Sequence, residues 1–282
     1  MNKPYLFENR DLLIITKHGK EEVIRPIFNK EFKVNIITSK YFDTDTLGTF
    51  SGEIHRTDNA LITLRKKCIL GMKAEKNDLS IATEGSFGSH PEIFFLPAHE
   101  ELMMLKDLKN DIEIVERTLV TDTNFSNEKI LNTESLRKFA MKIGFPKAGI
   151  ILKFKNDSEL NILKDICDWK TLKETYQKLK NKYDCDVETD MRAMRNPKRL
   201  KVISSLTKRL IKKINTLCPN CQAPGFGIVS AERGLPCENC HFGTKSILYH
   251  LHGCQKCNYL EKRMFPYDKK FENPMYCDYC NP

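Results

Sequence analysis

Apolar residues in the first 130 positions fall into short runs that alternate with sets at helical spacing. Strands are predicted over residues 12–15, 34–37 and 79–82, because a short apolar run bounded by polar residues is typical of a buried strand. Helices are predicted after residue 20 and over residues 59–72, where apolar residues recur at intervals of three and four. Alternating strands and helices indicate a sheet covered by helices.

The pattern continues beyond this region with further strands and helices. An antiparallel pair of strands in the same sheet is predicted over residues 101–105 and 112–120. Helices are predicted over residues 133–143 and 169–182, and strands are predicted over residues 148–154 and 185–189. Asn196 is expected to cap a helix that has Pro197 at its first position and runs to residue 214. This helix is predicted to connect the preceding α/β region to a cysteine-rich end.

Composition places the chain among ordinary globular proteins. Of its 282 residues, 40% are apolar and 29% charged, which excludes disordered, collagenous and coiled-coil classes. No apolar run approaches the roughly 20 residues that span a bilayer, so no membrane association is expected. Residues 1–13 have no apolar core, so we expect no secretory signal and a cytoplasmic location. The net charge of +9 favours anionic partners but does not choose between a nucleic acid, a nucleotide and mere solubility.

Eight of the eleven cysteines lie after residue 217, in four C-x-x-C pairs. The pairs are Cys218 and Cys221, Cys237 and Cys240, Cys254 and Cys257, and Cys277 and Cys280. Because each such turn directs two sulfurs to one point, two turns complete a tetrahedral site. We therefore predict two structural Zn²⁺ ions in a tandem zinc-ribbon-like module. Sequential pairing joins the first two pairs and the last two; a crossed arrangement, first with third and second with fourth, is the alternative.

These patterns together predict the fold class and the domains. The class is α/β, a mixed sheet covered by helices, followed by the helical connector and the tandem zinc module. The predicted domains are residues 1–130, a ligand-binding α/β domain; 131–215, its continuation with the basic connector helix; and 216–282, the zinc module.

Two segments of the first domain carry candidate ligand-binding residues. The turn at residues 16–20 follows a strand and opens a helix, so its backbone and its lysines suit an anion; its candidates are Thr16, Lys17, His18 and Lys20. Asp43 and Asp45 are spaced to coordinate a hard cation such as Mg²⁺. The structural alternatives are a plain strand–helix turn and capping aspartates.

Two further segments carry candidate metal-binding or phosphate-binding residues. Glu84 and Ser86 are placed where the third strand ends in a glycine-rich loop, and the end of a strand is where an open α/β sheet binds its ligands. Glu84 is therefore the first candidate for a Mg²⁺ ligand or a base. Asp190, Arg192 and Arg195 either grip a phosphate or form an arginine–aspartate network that holds their segment to the sheet.

Over most of its length the chain resembles an uncharacterised bacterial family known by a domain-of-unknown-function label. The matching stretches include residues 16–20, 43–45, 84–88, 188–193 and the C-x-x-C pairs. This resemblance implies no activity.

Residues 12–90 also resemble the inosine/xanthosine triphosphate pyrophosphatases. Thr16 and Lys20 match the opening of that family, where His18 replaces an asparagine, and Glu84 before Gly85 resembles its acidic strand end. The resemblance implies metal-dependent hydrolysis of a nucleotide phosphoanhydride. Glu84, with Asp43 or Asp45, would then hold magnesium, while Lys17, Lys20 and Arg65 would neutralise charge.

The rival interpretation is a non-enzymatic adaptor that binds nucleic acid or a protein. In that case the zinc modules and the basic helix do the binding, and the α/β region is a scaffold. Exposed aromatic residues of the cysteine-rich end are able to stack on bases, although small zinc modules also need aromatics for their own cores. A zinc tail with only a structural role is the third interpretation.

Overall fold

The computed structural model describes residues 5–49, 52–157 and 159–282, which form two compact units. The larger unit comprises Phe7–Lys109 and Val115–Leu210. The smaller unit comprises the described residues up to Leu6, together with Asn110–Ile114 and Ile211–Pro282. The fold is mixed α/β with five helices in the described residues, as the sequence predicts.

The first sheet has five strands in the order β2-β1-β3-β4-β5. The strands are β1 (Asp11–Ile15), β2 (Asn35–Thr38), β3 (Leu79–Ser89), β4 (Pro97–Asp107) and β5 (Ile112–Val120). β1 runs parallel to β2 and β3, and β3 pairs antiparallel with β4. Helices α1 (Glu21–Glu31) and α2 (Ala60–Glu75) make the two crossovers that parallel strands require. Leu64, Cys68 and Met72 of α2 pack on the buried side chains of the sheet.

The second sheet has four strands in the order β6-β9-β7-β8. They are β6 (Asn127–Ile130), β7 (Ile150–Asn156), β8 (Glu159–Ile166) and β9 (Cys185–Thr189), and all three pairings are antiparallel. Helices α3 (Thr133–Ile143) and α4 (Trp169–Leu179) contribute Phe139 and Tyr176 to a core with Val187. The pattern of the sequence predicts both helices and strands β7 and β9, but not β6 or β8.

Helix α5 (Pro197–Ile214) follows β9 and leads to the cysteine-rich end. Asn196 accepts a hydrogen bond from the backbone N–H of Arg199 at 3.1 Å, which is the predicted cap. Beyond α5, strands β10 (Gly227–Arg233), β11 (Ile247–Gly253) and β12 (Leu260–Met264) form an antiparallel sheet that the sequence does not predict. Among the described residues, no helix has both the length and the apolar character needed to cross a membrane.

The predicted end of the third strand is wrong. β3 continues through Glu84 and Gly85 to Ser89, and it pairs with β4 along its whole length, with Gly85 opposite Glu101. Residues 83–89 are therefore strand and not a loop. The glycines misled the prediction because glycine usually weakens a strand.

Gly85 has a steric role instead. A Cβ atom at this position would lie 2.6 Å from Arg199 Nη2 and 2.7 Å from Glu101 Oε2. The guanidinium of Arg199 donates to both oxygens of Glu101, at 3.0 and 3.1 Å, and neither side chain is exposed. The missing side chain of Gly85 thus provides the space for a buried ion pair between α5 and β4.

We predict that Gly85→Ala lowers the free energy of unfolding by about 1–3 kcal/mol, the usual cost of overpacking a close-packed interior. Gly88→Ala is the matched control, because it lies in the same strand and a Cβ there meets nothing within 4 Å. Urea unfolding followed by circular dichroism measures both. Equal midpoints for the two variants would contradict the steric role of Gly85.

Candidate metal centres and a candidate ligand cleft

The eight C-terminal cysteines form two groups, each able to hold one metal ion. In each group the four sulfur atoms lie within 4.8 Å of one another. The first group is Cys218, Cys221, Cys254 and Cys257; the second is Cys237, Cys240, Cys277 and Cys280. A tetrahedral site with Zn–S bonds of about 2.3 Å requires sulfurs separated by about 3.8 Å. Sulfurs of partnering pairs lie 3.6 and 3.7 Å apart in the first group and 3.6 and 3.9 Å apart in the second, so both sulfur sets fit zinc.

The pairing is crossed, so the sequential arrangement is wrong. The first C-x-x-C pair meets the third, and the second meets the fourth. The β10–β11 ladder begins at Gly227 opposite Gly253 and so brings the first pair near the third, while a β-bridge between Cys237 and Glu272 brings the second near the fourth. Each site therefore closes a loop that contains a ligand pair of the other site.

The turns around the cysteines are locally favourable for metal binding. Gln222, His241 and Asn258 each follow the second cysteine of a pair, and each adopts a left-handed backbone conformation with φ near 60°. Their N–H groups bond back to the carbonyl of the first cysteine at 2.9–3.0 Å. Asn220 and Asn239 occupy equivalent positions and donate from Nδ2 to a sulfur of the partnering pair, each at 3.5 Å. Such donors stabilise negative charge on thiolates.

A cleft of about 670 Å³ lies in the larger unit, lined by residues from both of its sheets. Its cations are Lys17, Lys20, Arg56, Lys67, Lys164, Arg192 and Arg199, and its carboxylates are Asp45, Glu84 and Glu188. The lining therefore carries more positive than negative charge. Phe87 and Phe125, with ring centroids 5.8 Å apart, add an aromatic part to the lining.

The structure brings many of the predicted site residues to this cleft. Thr16, Lys17, His18, Lys20, Asp45, Glu84, Ser86 and Arg192 line it, whereas Asp43, Arg65, Asp190 and Arg195 do not. Helix α2 reaches the cleft through Lys67, two positions after Arg65.

Glu84 is held by two cations of the protein. Its Oε1 accepts from Arg56 at 3.0 Å, and its Oε2 accepts from Lys67 at 2.5 Å. Arg56 also donates to Ser86 Oγ at 3.0 Å. Both oxygens of the predicted metal ligand are therefore already engaged in the buried wall of the cleft.

Lys17 takes the place predicted for a metal ion between the two aspartates. Its Nζ lies 2.8 Å from a carboxylate oxygen of both Asp43 and Asp45. The hydrogen bond from Lys17 lowers the pKa of Asp43 and, together with His18, offsets the burial of Asp45, whose pKa is also lowered. In the described part of the chain, the groups of three or more side chains fit to hold a metal are the two cysteine sets. The cleft residues do not fit Mg²⁺ as they stand.

The segment after β9 forms the arginine–aspartate network that the sequence leaves as one of two alternatives. Arg192 donates from Nε and Nη2 to the fully buried Asp190, at 2.6–3.1 Å. Both Arg192 and Arg195 also pair with Asp165 of β8. The network holds the segment in place, and Arg192 still lines the cleft.

Residues 67–282 match the family described as a domain of unknown function, DUF6671. The chain belongs to this family. The DUF6671 match includes Lys67, Glu84, Arg199 and all eight cysteines of the metal centres, and it begins after Lys20 and Asp45. No curated protein and no solved structure matches the chain, so its resemblance to the nucleotide pyrophosphatases stays a prediction.

Several residues of the cleft escape sequence reasoning. Arg56 lies outside any recognisable motif, although it holds Glu84 at the cleft. Lys67 is recognisable from the sequence as a candidate, since it lies between Leu64 and Cys68 on the face of α2 that is predicted to be buried. A lysine on such a face needs a carboxylate partner, which here is Glu84.

We predict that Cys218→Ser and Cys237→Ser each lower the zinc content to less than one ion per chain. The reason is that each zinc closes a loop holding ligands of the other, and the binding energy of structural zinc is also folding energy. Metal analysis of protein kept reduced measures this, with Cys167→Ser as the control outside both groups. Retention of one full zinc in either variant would show that the sites are independent.

We also predict that Glu101→Gln lowers stability near neutral pH by about 3–5 kcal/mol, because it leaves Arg199 buried without its partner. Burial opposes the charged form of Glu101, but Arg199, His99 and Lys20 outweigh it and hold its pKa far below the usual range. This contribution is complete above the unfolded pKa of about 4.3 and is lost as the pH falls further. The difference between wild type and variant should shrink in acid. Glu100→Gln, which removes a more exposed pair with Arg117, should have a much smaller effect at every pH.

Proposed function

We propose that the larger unit binds a small phosphorylated ligand, a nucleotide by preference, in its cationic cleft, and that the smaller unit holds two structural zinc ions. The observation that supports the ligand most strongly is Lys20, a buried lysine of the lining whose hydrogen bonds go to the neutral Thr83 rather than to a carboxylate. Buried cations are unfavourable unless an anion balances them.

The size of the cleft supports a ligand rather than a single ion. Its volume of about 670 Å³ falls in the range of about 300–1,000 Å³ typical of small-molecule sites. A nucleotide has both an anionic and an aromatic part, and the lining offers cations together with Phe87 and Phe125. Aromatic side chains stack on bases of any sequence. These features favour a nucleotide over inorganic phosphate alone.

Hydrolysis of the ligand is the catalytic form of this proposal. It is favoured by Lys20 and Glu84 lining the same cleft, as the resemblance to the pyrophosphatases implies. Lysine and arginine side chains are able to stabilise charge that develops on phosphoryl oxygens. Magnesium would first have to displace Arg56 or Lys67 from Glu84, so binding is the part of the proposal that the geometry favours.

The nucleic-acid form of the adaptor interpretation has less support from the smaller unit. Residues 211–282 contain nine lysines and arginines and six carboxylates. Eight thiolates and two zinc ions would bring this segment close to neutrality, so it does not offer the positive field that nucleic acid requires. The stacked pair of Phe242 and Tyr279 is exposed and remains available to a protein partner.

The proposal predicts that nucleoside phosphates raise the melting temperature of the protein. Lys17→Ala should weaken the best ligand about tenfold or more, since a hydrogen bond to a charged group contributes about 1.5–3 kcal/mol. Lys129→Ala is the matched control, because Lys129 is equally exposed and paired, but with Asp184, away from the cleft.

Thermal shift followed by calorimetric titration measures these affinities. Phosphate release, with and without magnesium, tests hydrolysis of each ligand that binds. Absence of stabilisation by every nucleoside phosphate would contradict the proposal, as would an unchanged affinity of Lys17→Ala.

A further inference from the structure

Lys20 lies in the buried wall of the cleft, in the turn between β1 and α1. Lys20 is only 7% exposed, yet it is one of the residues that line the cleft. Its Nζ donates to Thr83 Oγ1 at 2.7 Å and lies 3.3 Å from the carbonyl oxygen of Thr83. An ammonium group has three donors, so one remains for a ligand.

The partners of Lys20 are neutral, whereas the carboxylates around it are paired with other cations. Glu84 of β3 is held by Arg56 and Lys67. Glu101 of β4 is held by Arg199 and His99. The positive charge of a protonated Lys20 is therefore balanced only at a distance.

This setting destabilises the charged form. Burial is the main cause, and the charges of Arg199 and Lys67 act in the same direction, while Glu101 and Glu84 oppose them less strongly; together they lower the pKa of Lys20 to about 7. The free protein then contains both the amine and the ammonium near neutral pH. An anion within reach of Nζ favours the ammonium, because opposite charge stabilises the charged form.

We propose that Lys20 anchors the anionic group of the ligand and that its amine takes up a proton from solvent when that group binds. The inference rests on the proposed binding of an anion in the cleft and adds the residue and the proton that accompany it. The process is balanced, since the amine and one proton form the ammonium that the anion then neutralises.

A pH dependence follows from this coupling. Above about pH 7, affinity for an anion of constant charge should fall by up to tenfold per pH unit, because a proton must be supplied for each anion bound. Other titratable groups face the same space: burial lowers the pKa of His18, which is paired with Asp45, and Lys67, Arg192 and Arg199 also line the cleft. The contribution of His18 to the pH dependence of affinity therefore has to be separated from that of Lys20.

Sulfate is the suitable probe, because its charge is constant across the range in which lysine and histidine titrate. Sulfate titration by calorimetry in buffers of different ionisation enthalpy reports the protons taken up. Wild type and His18→Gln should show uptake at slightly alkaline pH, whereas Lys20→Met should lose the uptake and most of the affinity. A thermal melt of Lys20→Met establishes that it is folded.

A second measurement needs no ligand. Lysine Cε resonances of the free protein, followed by NMR against pH, should show one lysine that titrates near neutrality and disappears in Lys20→Met. If every lysine titrated near the usual lysine pKa of about 10.4, the inference would be overturned even if ligands bind. Sulfate binding without proton uptake would also overturn it and would leave the proposed function intact, whereas failure of sulfate and all nucleotides to bind would refute both.

Discussion

The ion pair between Arg199 and Glu101 is the interaction on which the larger unit depends. Two charges removed from water are tolerated only when their hydrogen bonds are nearly complete, and here Arg199 also donates to the carbonyl of Met191 at 2.7 Å while His99 lies 2.8 Å from Glu101. The start of α5, the segment after β9 and the middle of β4 are thereby tied to one point. Gly85 is required at that point because any side chain would displace the pair.

Ion pairs within the protein also determine which ligands the cleft is able to bind. Glu84 has two cations of its own, and Asp45 is paired with Lys17 and His18. The carboxylates that would otherwise attract a metal ion are thus neutralised by the fold, whereas the buried Lys20 hydrogen-bonds to the neutral Thr83. On the proposal made above, this site would select its ligand by negative charge and, through Lys20, respond to the acidity of the solution.

Local pattern was sufficient to predict the elements whose character is local. The α2 helix, the α5 helix with its Asn196 cap, and the four C-x-x-C turns all depend on residues close together in sequence. Interactions between segments that are far apart in the sequence could not be predicted from local pattern. The length of β3 is determined by its pairing with β4, and Gly85 makes sense only once Arg199 is known to lie against it, more than a hundred residues away in the sequence. The choice between sequential and crossed metal pairing was out of reach for the same reason, because it depends on the β10–β11 ladder and on the bridge between Cys237 and Glu272.

The crossed arrangement of the cysteines has a consequence for proteolysis. A single cut between Cys240 and Cys254 leaves each metal site with one ligand pair on either side of the break. The two fragments would remain joined through both metal ions, although no peptide bond connects them. With sequential sites, the same cut would release the C-terminal piece. A protease that nicks this segment would therefore leave the two fragments associated in solution, and chelation would remove the metal bridges between them.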